Sequence, residues 1–214
     1  MLLCGLDVGT SSIKLSVVDA STKKIIHTCS FPETENEIIS VSPGFAEQNP
    51  DHWWYCIKQV IKMANATQKY DPLDISAIGI SYQMHGLVIL DKDKQVLRPS
   101  IIWCDSRASS IGDHAFEVLG KEKTLNNLLN SPGNFTASKL AWVKENEPYI
   151  YEQIHHVLLP GDYISFKFTH ELTTTISALS EGIFWDFKNN EISKDLLAYY
   201  KFDISLFPEI RQVF

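Results

Sequence analysis

The feature that most constrains the fold is the pattern of residues 2–19, which read LLCGLDVGTSSIKLSVVD. An apolar run reaches Asp7, a turn rich in glycine, threonine and serine follows, and an alternating apolar run leaves the turn. Two such runs joined by a short polar turn predict the antiparallel strands of a β-hairpin. A third strand is predicted at residues 24–31, KIIHTCSF, so the chain begins with a sheet.

A helix is predicted directly after a polar stretch, residues 33–48. Asn49 is a suitable N-cap and Pro50 suits the first helical position. Trp53 and Ile57 then share one face of the predicted helix. We interpret Trp53 and its neighbour Trp54 as core-packing residues of an amphipathic helix rather than as a platform for stacking a ligand.

Strands and helices alternate along the rest of the chain. Strands are predicted at residues 74–81, 87–90, 101–103 and 157–159, and helices at residues 106–119, 136–145 and 163–168. This alternation predicts an α/β fold in which helices flank a sheet.

Composition narrows the function classes. The chain has 214 residues, 44% of them hydrophobic and 21% charged, which is typical of an ordered globular protein. A net charge of −7 argues against partners such as nucleic acid or an anionic membrane surface. The four cysteines are scattered without a C-x-x-C pair, which favours reduced thiols in a cytoplasmic protein and disfavours a zinc site.

The turn of the first hairpin contains groups that can bind a ligand. Gly9 permits close approach of a ligand to the backbone, and the hydroxyls of Thr10 and Ser11 can hydrogen-bond phosphate oxygens. The Asp7 carboxylate beside them can hold Mg²⁺ through water. The alternative is an ordinary polar hairpin turn.

A second group of candidate residues lies where one predicted strand ends and the next begins. Gln83, Met84 and His85 occupy this break, and Gly86 relieves the backbone there. The ends of strands in α/β sheets are where ligand-binding groups gather. His85 alone is also compatible with a packed or solvated histidine.

The third group is a strand-to-helix junction that contains Trp103, Asp105 and Arg107. One interpretation is local: Asp105 caps the following helix and pairs with Arg107. The functional interpretation is a polar rim for a hydroxylated ligand, with the Trp103 indole as an apolar wall.

Together these motifs resemble the N-terminal half of a carbohydrate kinase of the FGGY family, in the branch that phosphorylates ketoses. In order along the chain they are GLDVGTSSIK at residues 5–14, QMHG at 83–86, WCDSR at 103–107, FTASKLAWV at 135–143 and LLPGDYISFKFTHE at 158–171. The resemblance covers essentially all 214 residues. It implies a fold similar to ribonuclease H and the actin-like ATPases, a mixed five-stranded sheet flanked by helices, with residues 1–214 as one sugar-binding domain.

The resemblance also implies an activity: ATP-dependent phosphorylation of a ketose, D-xylulose above all, with Mg²⁺ at the transferring phosphate. Asp7 is implied as the catalytic carboxylate beside that Mg²⁺, and Gly9, Thr10 and Ser11 as its phosphate-facing turn. Gln83, Met84 and His85 match sugar-contacting positions, and Trp103, Asp105 and Arg107 match a segment beside the sugar.

The proton acceptor and the adenosine-binding motifs of that family have no counterpart in these residues. We therefore expect a partner domain C-terminal to residue 214 and an inactive fragment without it. The sequence leaves open whether the whole enzyme is a monomer or, like many relatives in the family, a homodimer. Two alternatives remain: another acceptor, such as gluconate or ribulose, or a non-catalytic sugar-binding module.

Overall fold

The computed structural model describes residues 1–213, which form two compact units. The first unit consists of Met1–Ile38 and Asn49–Gln83, and the second of Ile39–Gln48 and Met84–Phe214. Both units are discontinuous in sequence, because residues 39–48 belong with the later part of the chain.

The regular elements alternate as expected. The strands are β1 (Leu2–Val8), β2 (Ile13–Asp19), β3 (Lys24–Phe31), β4 (Glu47–Gln48), β5 (Ile75–Tyr82), β6 (Val88–Leu90), β7 (Ser100–Ile101), β8 (His156–Leu158), β9 (Thr173–Thr175), β10 (Trp185–Asp186), β11 (Glu191–Ile192) and β12 (Glu209–Arg211). The helices are α1 (Pro50–Ala66), α2 (Ser109–Leu119), α3 (Lys121–Leu128), α4 (Thr136–Asn146), α5 (Pro148–Tyr151), α6 (Pro160–Thr169), α7 (Ile176–Glu181) and α8 (Lys194–Tyr200). None of these helices combines the length and the apolar character that crossing a membrane requires.

The first unit is built on a mixed sheet with strand order β3-β2-β1-β5. β1 and β2 form the predicted antiparallel hairpin, with Val8 opposite Ile13, and β5 runs parallel to β1. Inward-facing residues of β1 and β2 alternate with exposed ones, as a half-buried sheet requires. Helix α1 packs against β2 and β3 through an apolar face that includes the fully buried Trp53, so the core interpretation of Trp53 is confirmed.

The sheet has four strands among the described residues, and the expected count of five is wrong for this part of the chain. The reason is that the chain leaves the sheet after β5. The later strands pair with one another in the second unit as short antiparallel ladders, β4 with β7, β6 with β8 and β10 with β11, and as one parallel pair, β9 with β12.

The second unit has its own hydrophobic core, to which α4 contributes the most continuous buried face. Residues 136–141 of this helix are all buried, and the core continues through Val157, Phe184 and Leu196. Lys139 lies in the middle of that buried run with no exposed surface.

Helix α2 starts later in the sequence than predicted. It begins at Ser109 rather than at residue 106, and Ala108 occupies the N-cap position without a side-chain hydrogen bond. The prediction that Asp105 caps this helix is therefore wrong. The carboxylate of Asp105 accepts hydrogen bonds from Arg107 and from the Ala46 amide, which holds residues 105–108 outside the helix.

We expect Gly112→Ala to destabilise the protein by about 3 kcal/mol, because a methyl group there overlaps backbone. A Cβ on Gly112 would lie 1.8 Å from the carbonyl oxygen of Gly133, an atom that no rotamer change can move away. Urea unfolding of Gly112→Ala measures the loss. Gly79→Ala is the matched control, because a Cβ there meets nothing within 4 Å. Equal stability of the two variants would contradict the close approach.

Candidate active site

One group of candidate residues lies at the turn between β1 and β2 of the first unit. Asp7 lies one residue before the end of β1, and 48% of its side-chain surface is exposed. Its Oδ2 lies 3.5 Å from Lys14 Nζ on β2, a loose and solvated ion pair. The carboxylate is therefore available to a ligand.

The turn itself is fixed from two sides. The Ser11 carbonyl accepts a hydrogen bond of 2.8 Å from the Asn36 amide, and the Asn36 side chain contacts His52 of α1 at 3.2 Å. Thr10 donates its hydroxyl to Gln83 Oε1 at 2.9 Å, and the Gln83 amide donates to the Val8 carbonyl at 2.9 Å. A turn held by its own sheet and by α1 keeps its amides and hydroxyls in place for an anion.

Asp7 also lines an open depression of about 540 Å³ on the sheet of the first unit. Its lining comes from β1, β2 and β5: Gly5, Leu6, Asp7, Lys14, Ser16, Gly79, Ile80 and Ser81. One carboxylate, one ammonium group and two hydroxyls in a depression floored by glycines suit phosphate oxygens.

These residues also fit Mg²⁺. Mg²⁺ keeps much of its water and is held by one or two carboxylates together with substrate phosphates. Asp7 supplies one such carboxylate, with hydroxyl oxygens nearby. Across residues 1–213 no group of three or more His, Cys, Asp or Glu side chains could hold a metal ion by itself.

A separate group of candidate residues lies in the QMHG segment. Met84 is 53% exposed, whereas the His85 side chain is 23% exposed and packs edge-on against Phe135, with 4.1 Å between ring centroids. His85 has a φ of 60°, in the left-handed region that non-glycine residues rarely adopt. A backbone in this region needs surrounding contacts that hold it there.

Two charged side chains supply those contacts. The His85 carbonyl accepts a 2.7 Å hydrogen bond from Lys139 Nζ on α4. The His85 amide donates to Glu181 Oε1 at the end of α7, and the same oxygen lies 3.3 Å from His85 Nδ1. Desolvation lowers the pKa of Lys139 to about 8, although the negative charges of Asp105 and Glu181 favour its charged form.

The WCDSR segment separates into a buried part and an exposed part. Trp103 is 49% exposed, as an apolar wall beside a ligand would be. The side chains of Asp105 and Arg107 are almost fully buried and pair through three side-chain hydrogen bonds, the shortest 2.6 Å between Arg107 Nη2 and Asp105 Oδ2. The local-pairing interpretation of these two residues matches this geometry, and a contact with sugar stays a prediction.

The buried ion pair extends into a larger cluster. Arg107 Nη1 lies 2.7 Å from Glu47 Oε1 on β4, and its guanidinium stacks 3.6 Å from the Phe45 ring centroid. Arg98 bridges the same Glu47 to Glu147, with 3.0 Å between Arg98 Nε and Glu147 Oε2. This cluster anchors the 39–48 segment to the second unit.

Sequence reasoning missed Lys139, Glu181 and Glu47. Lys139 stands in the quoted FTASKLAWV motif without a role assigned to it. The signal was present, because the other residues from 136 to 143 are apolar or small, and a lysine within such a helical run is unusual. Glu181 and Glu47 carry no such signal, since their partners are distant in sequence.

Comparison with known proteins identifies the chain. The model of the N-terminal domain of the FGGY family of carbohydrate kinases matches residues 2–213. The chain belongs to this family. A xylulose kinase from Bacillus subtilis is 32% identical over 204 residues, which cover 90% of this chain and 38% of that protein.

Solved structures of FGGY-family proteins and their relatives share the fold. A xyloylose kinase from Brucella ovis superposes with a TM-score of 0.89 at 30% identity, covering 99% of this chain and 43% of that one. A gluconate kinase from Lactobacillus acidophilus gives a TM-score of 0.86 at 27% identity, covering 99% of this chain and 42% of that one. The expected α/β class and its likeness to the actin-like ATPases are confirmed. The chain spans about two fifths of the length of these relatives.

Proposed function

We propose that this chain is the N-terminal, sugar-binding part of a two-domain kinase that transfers phosphate from ATP to a ketose, D-xylulose above all. The observation that carries the proposal is the exposed Asp7 carboxylate beside a fixed Gly-Thr-Ser turn, in a member of a carbohydrate kinase family. Curated relatives named xylulose kinase support the choice of acceptor.

In this proposal the Asp7 turn receives the phosphate being transferred. The backbone amides of Gly9, Thr10 and Ser11 and the Ser11 hydroxyl would bind phosphate oxygens, while the Thr10 hydroxyl stays bonded to Gln83, and Asp7 would hold hydrated Mg²⁺. Bound Mg²⁺ offsets negative charge on the phosphates. Lys14 on β2 adds a positive charge to the depression that Asp7 also lines.

The QMHG segment binds the sugar. His85 hydrogen-bonds a hydroxyl of the ketose, and the exposed Met84 and Trp103 pack against its carbon skeleton. Gln83 holds the Thr10 hydroxyl with its side chain, and the residues that follow it in sequence, Met84 and His85, bind the sugar. The terminal hydroxyl of the ketose attacks the γ-phosphate, an aspartate of the second domain accepts the hydroxyl proton, and ADP leaves.

Gluconate is a second candidate acceptor. A gluconate kinase superposes on this chain about as well as several xylulose kinases do. Rates of ADP release by the full-length protein with D-xylulose, D-ribulose and D-gluconate test the choice. We expect the highest kcat/KM for D-xylulose, and a higher value for gluconate would overturn the ketose assignment.

His85→Ala should weaken ketose affinity by about 1–3 kcal/mol, because a partly buried hydrogen bond to the sugar is lost. Calorimetric titration of the full-length protein with D-xylulose measures the change. His170→Ala is the matched control, since His170 has the same left-handed backbone, φ 63°, at the end of α6. An affinity of His85→Ala equal to that of His170→Ala would remove His85 from the sugar site.

A further inference from the structure

The QMHG histidine is held by two charged groups for which neither the family match nor the proposed reaction gives a role. Lys139 comes from α4 and Glu181 from α7, and each bonds the backbone of the same residue, His85. Lys139 is fully buried, and a buried ammonium group is retained in a core only when it is paired.

The two contacts act on opposite sides of one residue. Glu181 accepts the His85 amide hydrogen, and Lys139 donates to the His85 carbonyl at 2.7 Å. Together they fix the two peptide groups that flank the His85 Cα. They thereby stabilise its left-handed φ of 60°, which costs free energy in any residue with a Cβ.

The same glutamate also faces the imidazole ring. Glu181 Oε1 lies 3.3 Å from His85 Nδ1, at ion-pair distance but outside hydrogen-bonding geometry, and Nδ1 is a buried atom with no hydrogen-bond partner among the described residues. A carboxylate at Nδ1 favours the tautomer with hydrogen on Nδ1, which leaves a lone pair on Nε2. Phe135 packs on the ring at 4.1 Å and limits its rotation.

We propose that Lys139 and Glu181 are positioning residues for the sugar site: they fix the His85 backbone, and Glu181 sets its tautomer so that Nε2 accepts a hydrogen bond from a ketose hydroxyl. This inference rests on the proposed function for its ligand. Its structural part, the conformation and tautomer of His85, is independent of any ligand.

The first experiment is Lys139→Met in the full-length protein, a change that keeps volume and removes the ammonium group. The ketose KM should rise about tenfold, the change expected for loss of one charged hydrogen bond. The ATP KM and kcat should stay within about twofold, because His85 binds the sugar rather than the nucleotide. A loss of folded protein would instead lower kcat at unchanged KM for both substrates.

Lys144→Met is the matched control. Lys144 lies on the same helix and also donates to backbone carbonyls, those of Tyr200 and Lys201, away from His85. Its ketose KM should equal that of the wild type. An equal rise in KM for Lys139→Met and Lys144→Met would overturn the proposal.

A double variant shows whether Lys139 acts through His85. In a His85→Ala background, Lys139→Met should change ketose KM by less than about twofold, because the ring that it positions is gone. A full further tenfold rise would mean that Lys139 acts on the sugar independently and would overturn the proposal.

Variants of Glu181 test the second contact. They also test the proposal if Lys139→Met fails to fold. Glu181→Ala should raise ketose KM as Lys139→Met does, and Glu181→Gln, which retains an oxygen acceptor for the His85 amide, should recover most of the loss. A normal ketose KM in Glu181→Ala, or a KM in Glu181→Gln as high as that in Glu181→Ala, would overturn the role.

Nitrogen-15 NMR of the His85 ring separates this inference from the proposed function. Without sugar, the wild type should show the Nδ1-protonated tautomer, and Glu181→Ala should shift the ring towards the Nε2-protonated form. An Nε2-protonated wild-type ring would overturn the inference even if the protein phosphorylates D-xylulose. The expected tautomer in a protein that binds no sugar would support the positioning of His85 while contradicting the proposed function.

Discussion

Replacing Asp7 with alanine should lower the rate of phosphate transfer by about a thousandfold while leaving ketose affinity nearly unchanged. Asp7 is an exposed carboxylate beside the Gly9–Ser11 turn and belongs to the first unit, whereas His85 and its partners belong to the second. The substitution removes a group that acts on the phosphates and does not alter the residues proposed to bind the sugar. Steady-state rates and calorimetric titration of the full-length protein with D-xylulose measure the two effects separately.

Asp74→Ala is the control for this prediction. Asp74 is another exposed aspartate of the first unit, located just before β5, and its loss should change neither rate nor affinity. A rate for Asp7→Ala within tenfold of the wild type would show that the hairpin turn is an ordinary polar turn, the alternative that the sequence left open.

Replacing Arg107 with alanine should destabilise the second unit by about 3–5 kcal/mol, because a buried ion pair loses one partner. Arg107 contacts both Asp105 and Glu47, and its removal leaves two buried carboxylates with less compensation. It also removes the stacking contact with Phe45. The midpoint of urea unfolding, followed by tryptophan fluorescence, should fall accordingly.

The control for Arg107→Ala is Lys121→Ala. Lys121 pairs with Glu117 on the surface, where both side chains are more than half exposed, so its loss should change stability by less than about 1 kcal/mol. Unchanged stability in Arg107→Ala combined with a large loss of sugar affinity would contradict the structural role. It would support the contact with a hydroxylated ligand that the sequence also suggested.

The elements of the fold that depend on local residue patterns were predictable from the sequence. The hairpin of β1 and β2, the limits of β3 and the start of α1 at Pro50 follow from alternation and from a capping Asn-Pro pair. The division into two units was not predictable. It depends on Glu47 meeting Arg98 and Arg107, and these ion pairs join residues 51 and 60 positions apart in the sequence.

The candidate site was likewise predictable where local sequence marks its residues and unpredictable where it depends on long-range contacts. Asp7, Gly9, Thr10 and His85 stand out because polar and glycine residues interrupt apolar runs. The start of α2 was wrongly placed because the Asp105 carboxylate bonds Ala46 rather than the helix amides, a long-range contact that a helix signal does not contain. Glu181 lies 96 residues from His85, so only the folded chain brings the two together.

Phosphorus NMR of a mixture of the full-length protein, ATP, Mg²⁺ and D-xylulose tests the central claim most directly. We expect ADP and a sugar phosphate to appear in equal amounts, with the phosphate on the terminal hydroxyl of the ketose. Folded protein that forms no sugar phosphate from D-xylulose, or that releases inorganic phosphate from ATP at the same rate without any sugar, would contradict the account.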